Sequence, residues 1–208
     1  MKIVIGYIHG FGSVADINNI KVQTLMSMEI DGVELVIFPL HYDSLAGPLY
    51  TKKILQRQIK NLEIDVLVGT SLGGFWARQF TLPYIALNPV VSPYRELHKY
   101  LNIVAGYTDH GSHSKQAPVP RYLTKDVLNS YLACGIGFAP NGLVLLNKDD
   151  PVLNSLNTKA HLKSLLVGPE YKMIDDDSHQ FDNIDDDEVL SYIENFIKEL
   201  ANENIQSI

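Results

Sequence analysis

A single cysteine in 208 residues excludes an internal disulfide framework, and Cys134 alone fits the reducing chemistry of a cytoplasm. Long apolar runs are missing too: nowhere do about eighteen such residues follow one another, so no transmembrane helix is expected. The opening residues, Met1-Lys2-Ile3-Val4-Ile5-Gly6-Tyr7-Ile8, lack the longer apolar region and small-residue cleavage site of a secretory signal and read as a first strand. Positive charge is scarce. Seventeen Lys and Arg against 24 Asp and Glu leave a net charge of −7, with acids gathered in Asp175-Asp176-Asp177 and Asp185-Asp186-Asp187-Glu188. Nucleic acids and anionic membrane surfaces are held largely by Lys and Arg. Without a basic cluster neither is an expected partner, and a small molecule is.

What is present suits one domain over residues 1–208: 46% hydrophobic and 20% charged content in a chain long enough for a single sizeable core. Six short apolar, β-rich runs are predicted at 2–8, 33–40, 65–69, 84–88, 143–147 and 170–174. Segments of helical spacing lie between or after them at about 16–28, 50–62, 74–80, 153–165 and 186–201. That alternation implies crossover connections and a mainly parallel sheet. Val66-Leu67-Val68 and Leu143-Val144-Leu145-Leu146 show none of the polar alternation of a half-wet sheet, so helices are expected on both faces. Residues 91–141 break the rhythm with Pro93, Pro118, Pro120 and Pro140, and read as an insertion that serves as a small helical lid. Within it, 94–101 and 124–133 are expected to be helical and 107–121 an irregular loop.

The most informative segment is Gly69-Thr70-Ser71-Leu72-Gly73, which follows an apolar strand and precedes a helix. A strand that reverses sharply into a helix strains the residue at its apex and leaves no room for side chains two positions away. Gly69 and Gly73 supply that room, and Ser71 is expected to project its hydroxyl above the sheet. In an open parallel sheet, functional groups collect at the carboxyl ends of the strands. The fifth run ends in Asp149-Asp150-Pro151-Val152, and the sixth leads to Ser178-His179-Gln180-Phe181. The chain order is therefore serine, acid, histidine.

With His9-Gly10-Phe11-Gly12 after the first strand, these motifs resemble the α/β-hydrolase family over nearly the whole chain, and within it the compact YqiA-like bacterial esterases. The resemblance implies a three-layer α/β-hydrolase fold and a serine hydrolase of small carboxylic esters or thioesters, working through an acyl-enzyme and needing no cofactor. It also implies Ser71 as nucleophile, His179 as base, Asp150 as orienting acid, and the backbone amides of Phe11 and Leu72 as oxyanion hole. Two alternatives stand beside it: an inactive hydrolase-like binding scaffold, and triad hydrolysis of a peptide, lactone or carbon–carbon bond. Oligomeric state is left open.

Asp149 is the rival to Asp150, and the Asp-x-Val spacing to Val152 favours Asp150. His9 is expected to secure the oxyanion loop by hydrogen bonding rather than to move protons. His110 and His113 have no partner set with metal-ligand spacing and read as exposed loop histidines. The aspartate runs lack the glycine-containing loop of a calcium site and read as a solvated acidic rim. Trp76 is expected in the core. Tyr94, Tyr100, Tyr107, Tyr122 and Tyr131 fit either a pocket lining or ordinary packing.

Overall fold

The structure is a computed structural model and describes residues 1–107, 119–134, 141–165 and 167–206. Its main sheet holds six strands: β1 (Lys2–Ile8), β2 (Glu34–Leu40), β3 (Val66–Thr70), β4 (Tyr84–Leu87), β7 (Gly142–Asn147) and β8 (Glu170–Ile174). Their spatial order is β2-β1-β3-β4-β7-β8, and every neighbouring pair is parallel. Helices α1 (Ile20–Ser27), α2 (Pro48–Asn61), α3 (Leu72–Ala77), α6 (Ser155–Lys163) and α7 (Asp187–Gln206) fall where helical spacing is predicted, with shifted ends.

Each buried strand points alternate residues at opposite faces, so one sheet builds two cores. Ile3, Ile5, Val66, Val68, Ile85 and Leu143 meet Val22 and Leu25 of α1 and Val189, Ile193 and Ile197 of α7. Val4, Ile8, Leu67, Ala86 and Val144 meet Leu55 of α2, Phe75 and Trp76 of α3, and Leu162 of α6 on the other side. The apolar positions of α7 recur at the helical spacing that covers a sheet, which is why so long a helix lies along it.

The connection between β4 and β7 differs from its sequence reading. The expected helix over 94–101 is one turn, α4 (Pro93–Glu96), followed by a short 3₁₀ turn (His98–Tyr100). Of the segment expected to be irregular, Tyr107 ends β5 (Val104–Tyr107) and Pro120 and Arg121 begin β6 (Pro120–Tyr122), which pair as a two-stranded antiparallel ribbon, and residues 108–118 lie outside the described residues. The second expected helix is α5 (Lys125–Ser130) with a 3₁₀ turn after it (Tyr131–Ala133). Leu128 and Tyr131 from this region pack into the same core as Trp76.

Strand order reverses between β1 and β3: the chain leaves β1 toward one edge to form β2, then returns past it to β3 and continues the other way. At such a reversal the loops that follow the two strands part to opposite faces and leave a crevice. Ile8 and Gly69 are register partners there. The crevice therefore opens between the His9-Gly10-Phe11 loop and Ser71.

Candidate active site

Ser71 sits between β3 and α3 at φ 54° and ψ −116°, the conformation of the first central residue of a type II′ turn and one that glycine ordinarily fills. Its backbone is tightly held: the amide donates to the carbonyl of Leu87 at 2.9 Å, and its carbonyl accepts from Val90 at 3.0 Å and Phe75 at 3.2 Å. The flanking glycines are there because atoms approach too closely for anything larger. A Cβ on Gly69 would lie 2.3 Å from the carbonyl oxygen of Gly73, and one on Gly73 would lie 1.9 Å from that of Ile8.

His179 follows β8 and brings Nε2 to 3.2 Å from Ser71 Oγ. Its Nδ1 lies 2.8 Å from Asp150 Oδ2 and 3.1 Å from Oδ1. A carboxylate only accepts hydrogen bonds, so Nδ1 carries the proton and Nε2 is left to accept from the serine hydroxyl. Sequence left two acids in play, and the geometry separates them: Asp150 faces the imidazole, whereas Asp149 is exposed and its amide donates to the Asp176 carbonyl. Asp150 Oδ1 also accepts from the amides of Val152 at 2.7 Å and Leu153 at 2.9 Å, a turn that fixes the carboxylate. Burial pushes this carboxyl's pKa up, but the His179 bond and the two amides more than offset that and hold it below the usual value.

Two residues that sequence reasoning passed over hold the histidine loop. Asn88 and Asn147 are buried at the ends of β4 and β7. The Asn88 side chain donates to the carbonyls of Ser178 at 2.9 Å and His179 at 3.3 Å, and its Oδ1 accepts from the Asn147 amide at 2.8 Å. Asn147 Nδ2 lies within 3.1 Å of the Ser178 carbonyl, Asp176 Oδ1 and Asn183 Oδ1. An asparagine closing an otherwise apolar strand was the available signal. Asp176 is thus structural, whereas Asp175, Asp177 and Asp185 to Asp187 are exposed as the acidic-rim reading expects.

Across the crevice, His9 is buried and stacked on Tyr42, with ring centroids 4.2 Å apart. Its Nδ1 donates to the Gly10 carbonyl at 2.9 Å, while the Tyr42 hydroxyl donates to the His9 carbonyl at 2.7 Å. Burial pulls the imidazole below its usual pKa, against smaller upward pulls from Gly10 and Tyr42. It is a neutral brace for the loop. Leu72 opens α3, so its amide has no partner within the helix. Neither it nor the Phe11 amide donates to an acceptor among the described residues.

Ser71 and His179 open into a cavity of about 430 Å³, lined also by Phe11, Tyr100 and Val152. Lys99 donates to the Val152 carbonyl at 2.8 Å and ties the β4–β7 connection to the acid loop. Trp76 is in the core, beside Phe75 and Tyr131. Among the described residues no three His, Cys, Asp or Glu side chains gather as a metal-binding set. His110 and His113 lie outside the described residues.

Residues 4–198 match the model of the family described as Uncharacterised protein family (UPF0227). The chain belongs to that family. No curated protein sequence matches it. Among solved structures it is similar to Est1E from Butyrivibrio proteoclasticus, at 14% identity and a TM-score of 0.66 over 98% of this chain and 88% of that one. It is also similar to a pyrethroid hydrolase from Sphingobium faniae, at 14% identity and 0.63 over 97% and 100%. A third is a thermophilic esterase from Thermogutta terrifontis, at 13% identity and 0.57 over 95% and 90%. At these identities the likeness is one of fold, and the fold is that of the α/β-hydrolases. Among the described residues, no helix is long and apolar enough to cross a membrane.

Proposed function

We propose that the protein is a serine hydrolase of small carboxylic esters or thioesters. The observation that carries this reading is the hydrogen-bonded line from Ser71 Oγ through His179 to Asp150, set on a strained turn at the mouth of a cavity. Esterase and hydrolase names among the structural neighbours agree with it.

The substrate carbonyl enters with its oxygen toward the amides of Phe11 and Leu72. Ser71 Oγ bonds to the carbonyl carbon as its proton passes to His179 Nε2. The Asp150 carboxylate steadies the imidazolium so formed without taking its proton. The two amides stabilise the negative oxygen, each worth about 3 kcal/mol in the transition state. Collapse breaks the bond to the alcohol or thiol, which leaves with the proton from Nε2. Water then attacks the acyl-enzyme with His179 as base, releasing the acid and restoring Ser71.

The β4–β7 connection acts as the lid in this reading, with Leu97 and Tyr100 on the cavity wall. The acidic rim beside His179 disfavours polyanionic leaving groups such as coenzyme A, most strongly at low salt. A fluorophosphonate probe tests the nucleophile: wild type is labelled and Ser71→Ala is not. Equal labelling of both proteins sinks the assignment, and no labelling of wild type favours a scaffold that binds without catalysis.

A further inference from the structure

Burying an ammonium group costs several kcal/mol unless partners offset it, so lysine is seldom found inside. Lys21, in the first turn of α1, is only 5% exposed. Its Nζ donates to Asp182 Oδ1 at 3.1 Å, but the Asp182 side chain is 64% exposed. No second acceptor for that ammonium is found among the described residues. An ammonium offers three donors, so two remain undirected. Water around Asp182 screens the carboxylate's field, whereas the lysine sits in the drier wall. The lysine therefore keeps two donors for a ligand on its inward side, where the Asp182 charge is also felt and adds to burial in raising the pKa of the Tyr7 hydroxyl.

Inward is the cavity of Ser71 and His179, which Lys21 also lines. Beside it on that lining stands Asn19, whose Oδ1 is occupied by the Lys21 amide at 3.0 Å and whose side-chain NH₂ has no acceptor among the described residues. The hydroxyls of Tyr7 and Thr70, 3.2 Å apart, line it too. A pocket that served only an alkyl chain would gain nothing from these donors. Glu96 shares the cavity, but its Oε2 accepts from the amides of Val91 at 2.9 Å and Ser92 at 3.3 Å, which temper its charge.

We propose that Lys21 makes this cavity selective for an ester or thioester bearing a second, anionic group, in the simplest case a carboxylate, held by Lys21 Nζ and the Asn19 amide while Ser71 faces the scissile carbonyl. The inference rests on the serine-hydrolase reading and names its substrate class. Lys21 is a specificity residue in it and moves no proton.

The test compares three chromogenic esters: 4-nitrophenyl hexanoate as the neutral reference, 4-nitrophenyl hydrogen adipate with its carboxylate on the acyl side, and 3-carboxy-4-nitrophenyl hexanoate with it on the leaving group. Wild type prefers one charged ester, and which one tells the side that Lys21 serves. Lys21→Met lowers kcat/KM for that ester roughly 10- to 100-fold, mainly through KM, as expected for losing a hydrogen bond to a charged group. It leaves the neutral ester nearly unchanged. Lys21→Arg restores part of the preference, and Asp182→Asn, which removes the competing carboxylate, increases it. Equal treatment of charged and neutral esters by wild type overturns the proposal. So does an equal loss on all three in Lys21→Met, which marks a purely structural lysine, or, should that variant not fold, an Asp182→Asn protein without increased preference. Fluorophosphonate labelling is run alongside: an unlabelled wild type fails the hydrolase reading itself, whereas labelling without charge preference fails only the role of Lys21.

Discussion

Replacing Ser71 with glycine is expected to leave a more stable protein than replacing it with alanine, the reverse of the usual order. At φ 54° and ψ −116° the residue occupies a region that an L side chain enters only under strain, at a cost on the order of 1–3 kcal/mol. Alanine keeps the Cβ and the strain, and glycine sheds both. Against that relief stands the greater freedom of glycine in the unfolded chain, about 0.5–1 kcal/mol relative to alanine. Both variants lose the hydroxyl that reaches His179, so this bond drops out of the comparison. Taking the middle of both ranges, the glycine variant is ahead by about 1 kcal/mol. For a chain of 208 residues that corresponds to a rise of about 2–4 °C in Tm.

Urea denaturation followed by tryptophan fluorescence reads the difference directly, since Trp76 is the single tryptophan and is buried in the core just after the elbow. Neither variant retains the proposed nucleophile, so both should be inert to a fluorophosphonate, and only stability separates them. An alanine variant that equals or exceeds the glycine variant would refute the claim that this turn stores backbone strain.

Gly73→Ala should fail to give a native fold or should lose more than about 3 kcal/mol, because its methyl would stand 1.9 Å from the Ile8 carbonyl and 2.6 Å from that of His9; a circular dichroism melt matching wild type would contradict that close approach. Asp150→Asn should lower kcat about 10⁴-fold by freeing the His179 tautomer, read by ester hydrolysis under saturating substrate. The depressed pKa of Asp150 means its stabilising contribution is present above about pH 3.9 and fades as pH falls through its lower folded value, so Asp150→Asn should flatten that part of the acid unfolding curve. His9, also depressed, should cost wild type stability as pH drops below about 6.5 and through the lower folded value, because the unfolded chain takes up the proton first. Urea titrations of wild type and His9→Gln at neutral and mildly acid pH check this, and identical pH responses would remove His9 from the account.

What could be read from sequence divides along the range of the interactions involved. Buried parallel strands such as Val66-Leu67-Val68 announce themselves by unbroken apolar character, and the Ser71 elbow by glycines whose reason is local. All six strands of the main sheet could be found that way, though their ends shift by a residue. The ribbon of β5 and β6 could not: each strand is three or four residues long, and its existence depends on a partner far along the chain. Sequence favours Asp150 over Asp149 by spacing alone, whereas what holds the Asp150 carboxylate toward His179 is a turn in which it accepts from the amides of Val152 and Leu153.

Asn88, Asn147 and Lys21 mark the other side of that division. Nothing in the residues around Asn88 says that its amide will meet a carbonyl 90 positions away, or that Lys21 will be buried against Asp182 across 161. These contacts exist because β1 and β3 are neighbours while β2 lies outside them, an arrangement that parts the loops after β1 and β3 and admits α1 to the cavity wall. The same topology that lets a local motif expose Ser71 decides which distant side chains surround it. On the proposed reading, reaction chemistry is carried by short motifs, while selectivity is carried by residues whose only common property is where the sheet order brings them. For that reason a helix residue such as Lys21, which by sequence is an unremarked surface cation, is where substrate choice in this protein should be sought.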